Sequence, residues 1–168
     1  MNDTLKLILR AILLLLTQVL IGNKMRIFGF VNPQWSLLFV LWFPIKVETT
    51  LFLITSFFFG LSLDFFSNSG GIHAAAFTFV AFLRMPVFKK ILNKKEVFEK
   101  NFEYNLYRTS TKLVMIFVLS FLFHFVQFGL SYFDISTIGT VLWKAAVSSI
   151  FTTFVTLVVL SIFSPNPQ

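Results

Sequence analysis

The chain has 168 residues, 57% of them hydrophobic and 12% charged, with a mean hydropathy of +0.83. A soluble domain carries charge on about a quarter of its residues, so an ordinary soluble fold is excluded. The net charge of +7 does not indicate nucleic acid, because a chain that crosses a membrane several times collects lysine and arginine on its cytoplasmic side.

At ~20 residues per span, six crossings use about 120 residues and leave only loops and short tails. One membrane domain, 1–168, is therefore expected, with no room for a soluble catalytic or nucleotide-binding unit. Cysteine is absent, which removes disulfides, thiolate nucleophiles and cysteine-based metal sites. His73 and His124 have only Asp64 as a carboxylate within an apolar stretch, so neither a metal nor another cofactor is expected. The 25 phenylalanines read as lipid-facing bulk.

Charge-free runs set the expected spans at about 5–22, 27–45, 49–66, 72–88, 113–133 and 138–163, an all-α polytopic bundle of six transmembrane helices. Lys6 and Arg10 flank the first, where long side chains snorkel to the interface. A basic start followed by Leu13–Leu16 resembles a signal peptide, but no small-residue cleavage site follows, so this reads as an uncleaved span. Asn32-Pro33 opens the second span, with proline in the first turn and Trp35 as an interfacial anchor. Pro44, Lys46 and Glu48 interrupt the run, and a hairpin into the third span follows. The turn Ser67-Asn68-Ser69-Gly70-Gly71 separates the third span from the fourth.

Eight of the 14 basic residues lie from Arg84 to Lys112, which makes the loop 89–112 cytoplasmic and, with six spans, both termini cytoplasmic as well. Lys6, Arg10 and Lys46 agree with this orientation, while Lys24 and Arg26 oppose it. Within the loop, Asn93 and Glu96 resemble a capping box, and Phe98, Phe102 and Leu106 share one helical face. A short amphipathic helix on the inner leaflet is the simplest account of 94–109, with docking of a cytoplasmic partner as the alternative. Ser164-Pro165-Asn166-Pro167 closes the last span.

An ionisable group inside the membrane is costly, and its position points to a role. Ser56, Gly60 and Asp64 recur every four residues, giving a face with small residues at two levels and an acid at its outer end. Asp64 precedes the turn leading to His73, so the two can meet across it, either fixing the turn or binding a proton or ligand. Ser120, His124, Gln127 and Ser131 form a polar stripe on the fifth span. Thr140, Lys144, Ser148, Thr152 and Thr156 form another on the sixth. Packing with modest hydrogen bonds is the plain reading of both. Lys144 can snorkel outward or pair with Asp134. None of these residues forms a catalytic set.

The stretch from Asn32 to Pro86 resembles the MreD family of rod shape-determining membrane proteins. The resemblance rests on Pro33-x-Trp35, Gly60-x-x-x-Asp64 and Gly71-x-His73-x-Ala75. It implies a bundle similar to the substrate-binding subunits of energy-coupling-factor vitamin transporters. It further implies a non-enzymatic scaffold in the bacterial inner membrane that binds MreC and, through it, the MreB cytoskeleton, the RodA glycosyltransferase and its partner transpeptidase. Pro33, Trp35, Ser56, Gly60, Asp64, Gly71, His73, His124 and Gln127 are the candidate structural or interaction residues. The runner-up is a vitamin-type substrate-binding subunit of a transporter. An intramembrane enzyme using Asp64 with His73 or His124 is the third reading.

Overall fold

The computed structural model describes residues 3–25, 27–92 and 108–163. These residues form α1 (Asp3–Leu20), a short α2 (Leu38–Trp42), α3 (Thr49–Ser67), α4 (Ile72–Ile91), α5 (Thr109–Tyr132) and α6 (Ile138–Phe163). Among them no strand occurs, and the one β-type contact is the isolated bridge Ile27–Val31. Five helices are long and apolar enough to cross a membrane: α1, α3, α4, α5 and α6. Each falls on a charge-poor run of the sequence and spans ~27 to 39 Å at 1.5 Å per residue, against a hydrocarbon core of ~30 Å. They pack in the order α1, α3, α4, α5, α6, each against the next, except that α1 and α6 are linked chiefly through the segment between α1 and α3.

That segment departs from the expected second span. Residues 27–45 do not form a long helix: a turn through Phe28 and Gly29 leads to a 3-10 turn at Trp35–Leu37, then to the five residues of α2. Two prolines bracket the irregularity. Pro33 has no N–H to give to a helix, and Pro44 drives Phe43 into extended backbone (φ −66°, ψ 130°), which ends α2. The segment runs antiparallel to α1, with Pro33 and Ser36 beside Gln18, Trp35 beside Thr17, and Trp42 beneath the Arg10 guanidinium.

Non-helical backbone at membrane depth is tolerated only where protein or water satisfies it. Here protein encloses it: Val31 and Pro33 to Leu41 are all buried. Its exposed chemistry is answered at both ends. At the α2 end, Arg84 of α4, only 2% exposed, donates from Nη1 to the carbonyls of Val40 and Phe43, both at 2.8 Å, and lies 3.9 Å over the ring of Phe52. Arg84 is thus a buried cap for a broken helix rather than one of the basic loop's charges. Its charge, counted above with the basic loop, reports packing inside the bundle rather than topology.

The phenylalanines also divide in a way that composition concealed. Phe57, Phe58, Phe82 and Phe154 are exposed and suit lipid. Phe39, Phe59, Phe77 and Phe123, however, form a continuous ring series across the core: Phe39 stacks on Phe59 at 4.3 Å, Phe59 meets Phe77 edge-on at 5.1 Å, and Phe77 meets Phe123 at 5.0 Å. The series joins the irregular segment to α3, α4 and α5, and each such pair adds ~0.5 to 1.5 kcal/mol beyond burial. The inner-leaflet helix expected over 94–109 falls mainly outside the described residues, though 109 opens α5, and the closing Ser164–Pro167 also lies outside them.

Replacing Arg84 tests the cap. Arg84→Leu leaves two buried carbonyls without donors, each costing ~1 to 3 kcal/mol, so its thermal midpoint in detergent falls well below that of the parent protein. Arg84→Lys, which keeps one flexible donor group, falls between the two. A parental midpoint for Arg84→Leu would show that the guanidinium does not hold α2.

Candidate functional site

α3 and α4 meet closely because of Gly60. A Cβ added there would stand 2.6 Å from the Cα of Ala74 and 2.7 Å from the carbonyl oxygen of His73, distances no side chain tolerates. One helical turn further along α3, this contact brings Asp64 over the start of α4. Gly71, at φ +94°, gives α4 its N-cap conformation but has no side chain to cap with. Asp64 supplies the cap from the neighbouring helix. Its Oδ1 accepts from the His73 N–H at 2.9 Å and its Oδ2 from the Ala74 N–H at 2.8 Å. These are two of the four donors a helix start leaves unpaired, and the carboxylate also meets the positive end of the helix dipole.

The same oxygen takes further donors. The Ser69 hydroxyl donates to Oδ1 at 2.5 Å, and His73 Nδ1 lies 3.0 Å from it. Asp64 and His73 therefore do meet across the turn, and Asp64 closes it. Asn68 in left-handed backbone (φ 51°) ends α3, and the Ser69 N–H returns to the Asp64 carbonyl. The Ser–His–Asp grouping is not a nucleophile relay. In that chemistry the base's two nitrogens face different partners, whereas here serine and aspartate share His73 Nδ1.

A second polar assembly runs through the middle of the bundle. His124 on α5 contacts Gln127 Oε1 through Nδ1 at 2.9 Å and the Thr152 hydroxyl of α6 through Nε2 at 2.9 Å. The amide oxygen of Gln127 only accepts, so Nδ1 carries a proton, and in the neutral ring Nε2 then accepts from the Thr152 hydroxyl. Thr152 Oγ1 in turn accepts the Gln34 N–H at 3.0 Å, and Gln34 Nε2 donates to Ser36 at 2.7 Å. The Ser36 N–H reaches Gln18 Oε1 on α1, whose Nε2 donates to the Pro33 carbonyl at 3.1 Å. Gln18 Nε2 also lies 3.4 Å from Asn23 Oδ1, and Asn23 Nδ2 donates to Ser67 at the end of α3 at 2.6 Å. One hydrogen-bonded path thus links α5, α6, the irregular segment, α1 and α3.

Most of the sequence candidates fall into these two assemblies. Gly60, Asp64, Gly71 and His73 belong to the α3–α4 junction. His124 and Gln127 belong to the central path, which passes the Pro33 carbonyl. Trp35 is buried rather than interfacial, because its indole N–H finds the Thr17 hydroxyl of α1 at 3.2 Å. Ser56 is buried, and its hydroxyl joins neither assembly. Gln18, Gln34 and Arg84 carry the structure yet were not singled out as site residues, and Thr152 was read only as one member of the packing stripe on the last span. For Gln18 and Arg84 the available signal was a lone polar residue within an apolar run. Around the His124–Thr152 contact, the Gln34 Oε1 atom and the hydroxyls of Ser120, Ser148 and Thr156 are buried without partners.

Asp134, in the turn between α5 and α6, and Lys144, near the start of α6, do not pair. Asp134 accepts from both the N–H and the hydroxyl of Ser136, and these bonds hold its carboxyl below the usual carboxylate range. Lys144 turns outward to the Tyr132 hydroxyl and the rings of Phe30 and Tyr132. Among the described residues no group of three or more His, Cys, Asp or Glu side chains is arranged to hold a metal.

The family model described as rod shape-determining protein MreD matches residues 2–162 of the chain. No curated protein and no solved structure matches it.

Two pairs of substitutions test the α3–α4 junction. Asp64→Asn keeps an acceptor for one backbone donor but turns an amide N–H toward the other, so it lowers the thermal midpoint less than Asp64→Leu, which removes both at ~1.5 to 3 kcal/mol per charge-assisted bond. Equal losses would show that the charge, not the pattern of acceptors, is what α4 requires. Gly60→Ala destabilises by ~1 to 3 kcal/mol through overpacking, while Gly129→Ala, which has open space around it, does not. Equal tolerance at both positions would rule out the close crossing.

Proposed function

Because the chain belongs to the MreD family and so has a role in rod shape determination, we propose that it acts as a non-enzymatic scaffold of the cell-elongation complex in the bacterial inner membrane. In this reading it binds the bitopic protein MreC and, through it, joins the MreB cytoskeleton to the RodA glycosyltransferase and its partner transpeptidase. The observation that supports the reading is how the intramembrane polar groups are used. Asp64, Arg84 and His124 each face the backbone or side chain of another part of the chain, fixing helices against one another. A body held rigid in this way is suited to presenting fixed helix faces to other membrane segments, whose association depends on packing.

The irregular segment counts as a crossing in this proposal. It runs back along α1 from the Asn23 end toward the Arg10 end, so five long helices and one broken passage make six crossings. Both termini then lie on the side of the basic residues Lys46, Lys89, Lys90 and Arg108, the cytoplasmic side by charge. The second reading, a substrate-binding subunit of a vitamin-type transporter, draws support from the unpartnered Gln34, Ser120, Ser148 and Thr156 atoms around His124. It requires a small polar ligand to travel with the purified protein.

Depletion in a rod-shaped host separates the two readings. A scaffold makes cells round, and MreC leaves detergent-solubilised elongation complexes when the protein is removed. Asp64→Leu, by loosening α3 from α4, weakens that co-purification. Unchanged cell shape with unchanged recovery of MreC would overturn the proposal. A bound vitamin-sized molecule whose uptake falls on depletion would favour the transporter instead.

A further inference from the structure

The two ends of the bundle differ in chemistry. At one end lie the α3–α4 turn, the turn after α1 and the α5–α6 turn. They share that end because Asn23 bonds Ser67, and because Lys144 joins Tyr132 to Phe30. Here large apolar side chains are exposed in two of the turns and at the end of α3: Phe28 is 76% exposed, Phe65 82%, Phe133 85% and Ile135 90%. The other end carries Lys46, Glu48, Lys89, Lys90 and Arg108.

Three observations say what covers these rings. The first is backbone cost. Phe28 (φ 53°) and Phe133 (φ 46°) sit in left-handed conformations that glycine or asparagine adopts more easily, so turn geometry does not account for an aromatic residue at either place. The second is polar satisfaction at the α5–α6 tip. Asp134 is occupied by Ser136, and the Thr137 hydroxyl donates back to the Asp134 carbonyl, so the tip's polar atoms are served from within. The third is continuity. Phe133 and Ile135 extend the exposed apolar face of Ile138, Leu142 and Trp143 on α6, a face that lipid covers along a membrane span.

The α5–α6 tip also projects. Phe123 packs on Phe77, which lies ~8 Å from the start of α4, whereas Tyr132 lies ~14 Å beyond Phe123 along α5. The tip therefore stands roughly one helical turn past the α3–α4 junction.

We propose that this end of the bundle is an interfacial anchor, inserting Phe28, Phe65, Phe133 and Ile135 into the lipid leaflet on that side. The partner is the bilayer itself, recognised as an apolar layer beneath its headgroups, and amphipathic or aromatic groups are stable at that depth. The proposal depends on the membrane-spanning character of the five long helices and is independent of which protein the scaffold binds. It leaves the α3–α4 turn within the leaflet, where another membrane segment meets it more readily than a water-soluble domain does.

The chain contains no cysteine, so a single substitution gives a unique label. Nitroxides placed at Phe65→Cys and Ile135→Cys, with Lys90→Cys as a charged-end control, are compared in vesicles of phosphatidylethanolamine and phosphatidylglycerol for collision with oxygen and with a water-soluble nickel chelate. The first two are expected to collide several-fold more with oxygen than with nickel, and the control the reverse. A second variant, Phe133→Asn in the Ile135→Cys background, relieves the strained backbone. It is expected to keep or raise the thermal midpoint while moving the label toward nickel. Nickel-accessible labels at both 65 and 135 in the folded protein would overturn the proposal and mark the tip as a surface for a soluble protein. Failure of MreC to co-purify would leave these accessibilities unchanged and would count only against the scaffold reading.

Discussion

Within a bilayer every backbone N–H and C=O must find its partner inside the protein. The stretch from Val31 to Phe43 forms no long helix and draws backbone partners from the rest of the protein instead, and much of the molecule's polar chemistry serves it. Gln18 reaches it from α1, Arg84 from α4 and Thr152 from α6, and each bonds a backbone group that a regular helix would have satisfied itself. These three side chains are long or well placed enough to bridge helices, and all are buried. Remove the irregular segment and Arg84 would be an uncompensated cation at depth, while Gln18 and Thr152 would be polar groups facing lipid or each other. The segment and its supports are energetically interdependent.

The α3–α4 junction obeys the same rule with different means. A helix that begins at Gly71 gains its turn geometry from a residue that cannot cap it, so the unpaired donors of His73 and Ala74 pass to Asp64 on the preceding helix. Gly60 makes this possible by bringing the two backbones together one turn below. The glycines and the aspartate thus form one device. A Cβ at Gly60 would separate the helices and withdraw the carboxylate from α4.

Much of this architecture could be read from the residues, and the exceptions share a cause. Apolar runs between charges mark where α1, α3, α4, α5 and α6 lie, since hydropathy reports what faces lipid. The spacing of Gly60, Asp64, Gly71 and His73 pointed to a shared turn because its contacts are local. The run 27–45 is as free of charge as the spans but has no helix across most of it, since apolar composition cannot tell lipid-facing from protein-enclosed residues. Its two prolines were read as helix start and hairpin break rather than as the limits of an enclosed passage. Arg84 and Trp35 went astray for the same reason. Charge and indole were given surface roles, while their partners, the Val40 and Phe43 carbonyls and Thr17, are brought together only by the tertiary fold.

The supports of the irregular segment also impose an order on its making. A ribosome delivers Phe43 before Arg84, 41 residues later in the chain, and Gln34 before Thr152, 118 residues later. As it leaves the insertion machinery the segment has Gln18 at hand but neither of its other two anchors. It reaches its final shape only once α4 and then α6 have entered the membrane. Maturation therefore completes at the last span, and an insertion intermediate arrested before α6 would hold a passage whose Gln34 amide still lacks its Thr152 partner.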